Sequence, residues 1–68
     1  MPYVNVKLAG GPVSVEQKQQ IIAGMTEVLF KVLNKPPQAT YVVIEEHNTD
    51  NWGVGGESLT VRRARQSS

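Results

Sequence analysis

One position in this chain combines a reactive possibility with a place where it could be used. Proline stands second, in Met1-Pro2-Tyr3-Val4-Asn5. Cytosolic processing removes an initiator methionine when the next residue is small, and proline qualifies. The mature chain would then begin with a secondary amine. Such an amine serves as a base, as an acid once protonated, or as a nucleophile toward carbonyls. At the start of a covered strand, desolvation disfavours its charged form, and nearby guanidinium groups push the same way. A proline is also well tolerated at a strand start, so position alone leaves both roles open. With Met1 retained, Pro2 is a tertiary amide and cannot act as a base.

The remaining chemical inventory is thin. His47 has no cysteine partner, and a metal ligand needs two or three companions. Glu45 and Glu46 are neighbours on an expected strand, so they face opposite sides and cannot act as a pair. Gly53, Gly55 and Gly56 lack the Lys-Ser/Thr of a phosphate loop, and no clear helix is expected after them. A hairpin that needs positive φ accounts for them better. Ser14 reads as a helix cap with no base beside it. Arg62, Arg63 and Arg65 form either a solvated tail or a clamp for an anionic substrate.

The elements that must position these residues are readable from periodicity. Tyr3 to Leu8 alternate, with Val4, Val6 and Leu8 on one face of a strand. Gly10-Gly11-Pro12 ends it in a loop. Ser14 with Gln17 three residues on has the form of a capping box. Ile21, Ile22, Met25, Val28, Leu29, Val32 and Leu33 then recur at helical spacing. Phe30 lies off that stripe and suggests a second contact surface. Asn34-Lys35-Pro36-Pro37 stops the helix. Thr40 to Glu46 reads as a second strand. Its run Tyr41-Val42-Val43-Ile44 suits a strand covered on both faces. The turn residues from Asp50 to Gly56, around Trp52, predict a small hairpin. Ser58 to Val61 is a candidate last strand, and residues 62–68 are expected to be a flexible polar tail. The order is β-α-β plus a C-terminal hairpin, of the α+β class, with the two main strands parallel and joined by a right-handed crossover.

Composition bounds the rest. The chain has 68 residues, no cysteine, 40% hydrophobic residues and a formal charge of +1. It is expected to be a single domain over residues 1–68, without disulfides. It is too apolar to be disordered. Its near-neutral charge argues against nucleic-acid or membrane partners driven by bulk charge. No run approaches the ~20 apolar residues of a membrane span. The first residues carry no signal-peptide pattern, so the cytosol is the default compartment. A chain this short, without disulfides or metal, is expected to oligomerise with itself.

Together, Pro2, the strand to Leu8, Glu16-Gln17-Lys18, Val42-Val43-Ile44-Glu45-Glu46 and Trp52-Gly53-Val54-Gly55-Gly56-Glu57 resemble the 4-oxalocrotonate tautomerase family. The similarity spans nearly the whole chain. It implies protomers paired across a four-stranded sheet, with three pairs forming a hexamer. It implies a cofactor-free proton transfer, in which Pro2 takes a proton from the enol or dienol of a 2-oxo acid and returns it to a distant carbon. Trp52 would form an apolar wall that helps keep the amine uncharged.

The chain departs from the best-known members twice. They carry an arginine in the loop after the first strand, where this chain has Gly11-Pro12-Val13. They carry another at the start of the second strand, where it has Tyr41. Those arginines bind the substrate's carboxylate and its polarised carbonyl. Tyr41 is a candidate donor to a carbonyl oxygen, and Lys7, Lys35 or Arg62 of a neighbour is a candidate for the charge. A lysine, being a point charge, does not reproduce a bidentate arginine contact. The alternatives are a hydratase or dehalogenase using the same proline on an unsaturated acid, and a non-catalytic oligomeric module.

Overall fold

The computed structural model describes residues 1–66. In chain order it contains β1 (Tyr3–Ala9), α1 (Val15–Leu33), a 3₁₀ turn (Pro37–Ala39), β2 (Tyr41–His47), a second 3₁₀ turn (Thr49–Asn51), β3 (Gly53–Val54), β4 (Glu57–Ser58) and α2 (Leu59–Gln66). β1 and β2 are parallel, in register from Tyr3 opposite Tyr41 to Ala9 opposite His47. Helix α1 makes the crossover between them, as the sequence order requires.

The ends of α1 are set by local chemistry. The Ser14 side chain accepts the Gln17 N–H at 3.0 Å, and the Gln17 side chain accepts the Ser14 N–H at 2.9 Å. Both halves of the expected capping box are therefore present. At the other end Asn34 adopts φ 57°, ψ 36° and donates its N–H to the Phe30 carbonyl at 2.8 Å. Asparagine is one of the few side chains that tolerates this left-handed cap. The two prolines that follow keep α1 from continuing.

The hairpin also forms where the glycines predict it. β3 and β4 are antiparallel, with Gly53 opposite Ser58. Gly55 and Gly56 sit between them at φ 63° and 86°, the two positive values a tight primed turn needs. The final segment differs from expectation. The strand ends at Ser58, and residues 59–66 are helical. The Ser58 hydroxyl accepts the Val61 N–H at 3.1 Å, as a cap does. Leu, Arg, Ala and Gln are better helix formers than strand formers. A helix thus follows the glycine cluster after all, but Gly55 and Gly56 form the turn of a hairpin. Of the expected tail, 62–66 lie in α2, and Ser67 and Ser68 fall outside the described residues.

Packing is one-sided. Val4, Val6, Leu8, Val42 and Ile44 are half-buried on the sheet face toward α1, where Ile21, Ile22 and Leu29 are also half-buried. The other sheet face leaves Tyr3, Tyr41 and Val43 at 64%, 53% and 40% exposure. On α1, Val28, Phe30, Val32 and Leu33 are also exposed. No described side chain is fully buried. The radius of gyration is 15.7 Å, against about 11 Å for a compact chain of this length. The protomer is therefore extended, and it does not enclose a core by itself.

Candidate functional site

The parallel register decides which candidate residues can meet. Pro2 immediately precedes β1 and is half-buried. Its carbonyl accepts the Tyr41 N–H at 2.9 Å, which ties it to the start of β2. Tyr41 pairs with Tyr3, and its ring is exposed. By strand alternation the ring lies with Tyr3 and Val43 on the face away from α1. Its hydroxyl makes no hydrogen bond to another described residue. Lys35 follows the C-terminal cap of α1, so it belongs to the same end of the sheet.

Trp52 lies at the opposite end. β2 finishes at His47, which is opposite Ala9 of β1. The Trp52 ring packs at a tilt against His47, with centroids 5.9 Å apart. The seven residues of β1, at ~3.3 Å each, put roughly 23 Å of strand between Pro2 and this end. Within one chain, then, the indole forms no wall for the proline.

The Trp52 end is well braced. The Asn48 side chain accepts the Asp50 N–H at 2.8 Å, and the Trp52 carbonyl accepts the Leu59 N–H at 2.8 Å. The hydroxyls of Thr49 and Thr60 meet at 2.6 Å, and Thr60 also donates to the Asp50 carboxylate. These bonds lock the second 3₁₀ turn to α2, and Trp52 is held between them. Nε2 of His47 is buried without a hydrogen-bond partner among the described residues.

The three arginines of α2 have separate fates. Arg65 pairs with Glu57 at 2.7 Å. Arg62 is half-buried, and no described carboxylate pairs with it. The Arg63 guanidinium lies against Gly10 in the loop after β1. A methyl group placed on Gly10 would stand only 2.6 Å from its Nη2 and 2.7 Å from its Cζ. No spacing in the chain predicts this last contact. Its one local sign is the pair Gly10-Gly11, at φ 85° and 113°.

The other candidates separate as expected. The Asn5 side chain donates to Glu45 at 2.8 Å, whereas Glu46 pairs with Lys18 at 3.3 Å on the α1 side. The two carboxylates thus point to opposite faces. Lys7 stands opposite Glu45 in the strand register. Among the described residues no three His, Cys, Asp or Glu are grouped to hold a metal, and no helix is long and apolar enough to cross a membrane. The Glu27 carboxyl is held below its usual range by a hydrogen bond and the charge of Lys31, and both residues are exposed on α1.

An open depression of about 490 Å³ is lined by Leu8, Pro12, Val13, Gln17, Gln20 and Ile21. It sits at the Ala9 end of β1, and none of Pro2, Tyr41, Trp52 or Arg62 lines it.

Comparison with known proteins supplies the remaining observation. Residues 2–62 match a family model described as tautomerase enzyme. A probable tautomerase of Dickeya dadantii, K2, is 51% identical over 67 residues, covering 98% of this chain and all of that one. The crystal structure of DmpI from Helicobacter pylori superposes with a TM-score of 0.83 at 40% identity, over 88% of this chain and 98% of that one. TomN, a 4-oxalocrotonate tautomerase homologue of the tomaymycin biosynthetic pathway, gives 0.85 at 32% identity, over 93% and 95%.

Proposed function

The chain belongs to the tautomerase family, and from that premise we propose that it is a cofactor-independent keto–enol tautomerase acting on the enol or dienol of a 2-oxo acid, with Pro2 as its base and acid once Met1 is removed. The observation that carries this reading is the place of Pro2. It is half-buried at the head of β1, with its carbonyl fixed by Tyr41. A free amine there would sit on a rigid element, which suits proton transfer between two defined atoms.

In the proposed step the Pro2 nitrogen takes the proton of the enol O–H. That bond's electrons form the carbonyl, the double bond shifts along the substrate, and its electrons take the proton back from the ammonium at the distant carbon. Nothing is oxidised or reduced.

The site is assembled between protomers. β1 has one edge on β2 and one edge free. Two-fold pairing of free β1 edges runs the strands antiparallel. It would bring Pro2 of one protomer beside the Leu8–Gly10 end of its partner, one strand spacing of ~4.8 Å away. That end has the depression walled by Leu8, Pro12 and Val13, and also has Trp52. An apolar wall of this kind keeps the amine uncharged. The same pairing makes one four-stranded sheet, and the exposed Tyr3, Tyr41 and Val43 on its outer face give further pairs a surface to cover, as in a trimer of dimers.

The test is direct. Protein shown by intact mass to lack Met1 should ketonise phenylenolpyruvate. Pro2→Ala should lower kcat/KM by roughly 10²- to 10⁴-fold. Equal rates in the two proteins would remove the reading.

A further inference from the structure

We propose that Arg63 is the carboxylate-binding residue of this site, seated over the loop after β1 and offered to the Pro2 of a partner protomer. The inference rests on the tautomerase reading above and names the cation that the reading leaves unassigned. Three observations carry it. First, the loop itself contains no cationic side chain, being Gly10-Gly11-Pro12-Val13. The guanidinium of Arg63 reaches it from α2 and lies against Gly10, in space that any side chain at that position would fill. Second, Arg63 has no carboxylate partner among the described residues, whereas Arg65 is held by Glu57. Arg63 is exposed, so its guanidinium is free to take a ligand. Third, the place beside it is open. A Cβ at Gly11 would meet nothing within 4 Å, and the Gly11 N–H makes no hydrogen bond to another described residue.

A guanidinium presents parallel N–H groups that match the two oxygens of a carboxylate, with a geometry no lysine reproduces. Gly10 contributes by being absent as a side chain. Its φ of 85° is open to glycine at little cost, and its lack of a Cβ leaves room for the guanidinium. In the β1-edge pairing this loop end lies beside the partner's Pro2. Arg63 would hold the carboxylate of the 2-oxo acid while that proline handles the proton. The charge expected of Arg62 thus passes to its neighbour Arg63, whose guanidinium is the group nearest Gly10.

The experiment compares an acid with its amide. Dissociation constants for 3-phenylpropanoate and uncharged 3-phenylpropanamide are measured by NMR titration of the intact assembled protein, alongside KM and kcat for phenylenolpyruvate. Arg63→Gln should weaken acid binding and raise KM by roughly 10-fold or more, as loss of a charged bidentate contact does, with amide binding unchanged and a smaller fall in kcat. Arg63→Lys should recover only part of the affinity. Lys31→Gln, which removes one equal charge elsewhere, should change nothing. Unchanged acid-over-amide preference in Arg63→Gln overturns the proposal. If Arg63→Gln fails to assemble, Arg63→Lys decides, and full wild-type affinity there counts against bidentate binding. The binding arm needs no turnover. An intact rate in Pro2→Ala would sink the proton-transfer reading alone, while a lost acid preference in Arg63→Gln would still stand.

Discussion

The two ends of the β1–β2 sheet are built differently. The Pro2 end is sparse: one backbone hydrogen bond from Tyr41, an exposed tyrosine ring, and the exit of α1 nearby. The Trp52 end is dense, with a hairpin, a capped 3₁₀ turn, a threonine pair and α2 locked together. On the proposed reading the reactive group lies at the sparse end, and the residues that would bind substrate lie at the dense one. The contrast teaches that, under the proposed mechanism, neither end is sufficient alone. A reacting amine needs access and little else from its own chain, whereas substrate recognition needs side chains held in place.

The sharpest way to break this comparison is to separate the ends genetically. Pro2→Ala and Arg63→Gln protomers, each impaired alone, should recover activity when unfolded together and reassembled. With random pairing about a quarter of the sites would hold Pro2 from one parent and Arg63 from the other. No recovery would place the two groups in one protomer's site and dissolve the contrast. Next in size is assembly itself. Val43→Lys puts a charge on the exposed sheet face without touching either end. Sedimentation should show smaller species, and activity should fall in step with the loss of the full assembly. Smaller species with full activity would mean that the outer face plays no part in the site. The smallest effect is expected from Trp52→Phe, which keeps the His47 packing but trims the wall. It should change kcat/KM by only several-fold and leave the carboxylate preference intact. A collapse of that preference would mean that the indole, and not Arg63, organises the anion end.

Much of this fold was legible in the sequence because its signals are local. The Ser14–Gln17 box, the Asn34-Lys35-Pro36-Pro37 stop and the Gly55-Gly56 turn each act within a few residues, and each appears where it was expected. The parallel β1–β2 pairing followed from topology alone. The last segment departs from the strand expectation because Ser58 to Val61 is too short to show a period, and its helix depends on a serine cap and on Arg65 reaching back to Glu57. Pro2, Tyr41, Trp52 and Arg62 could be nominated from the sequence. Their distribution over two ends could not, because it depends on strand register. The Arg63–Gly10 contact joins residues far apart in sequence, and no periodicity encodes such a contact.

The doubly capped α1 has a consequence for how the two ends are spaced. Its 19 residues span about 28 Å, enough to run back along the whole sheet, and both termini are pinned by their own hydrogen bonds. The helix therefore works as a ruler. One inserted residue would lengthen it by ~1.5 Å and rotate everything beyond by about 100°, carrying Leu29 off the sheet while Ile21 stays on it. Length variation among chains of this design should accordingly be confined to the loops at either end of α1, or come in whole helical turns matched by longer strands.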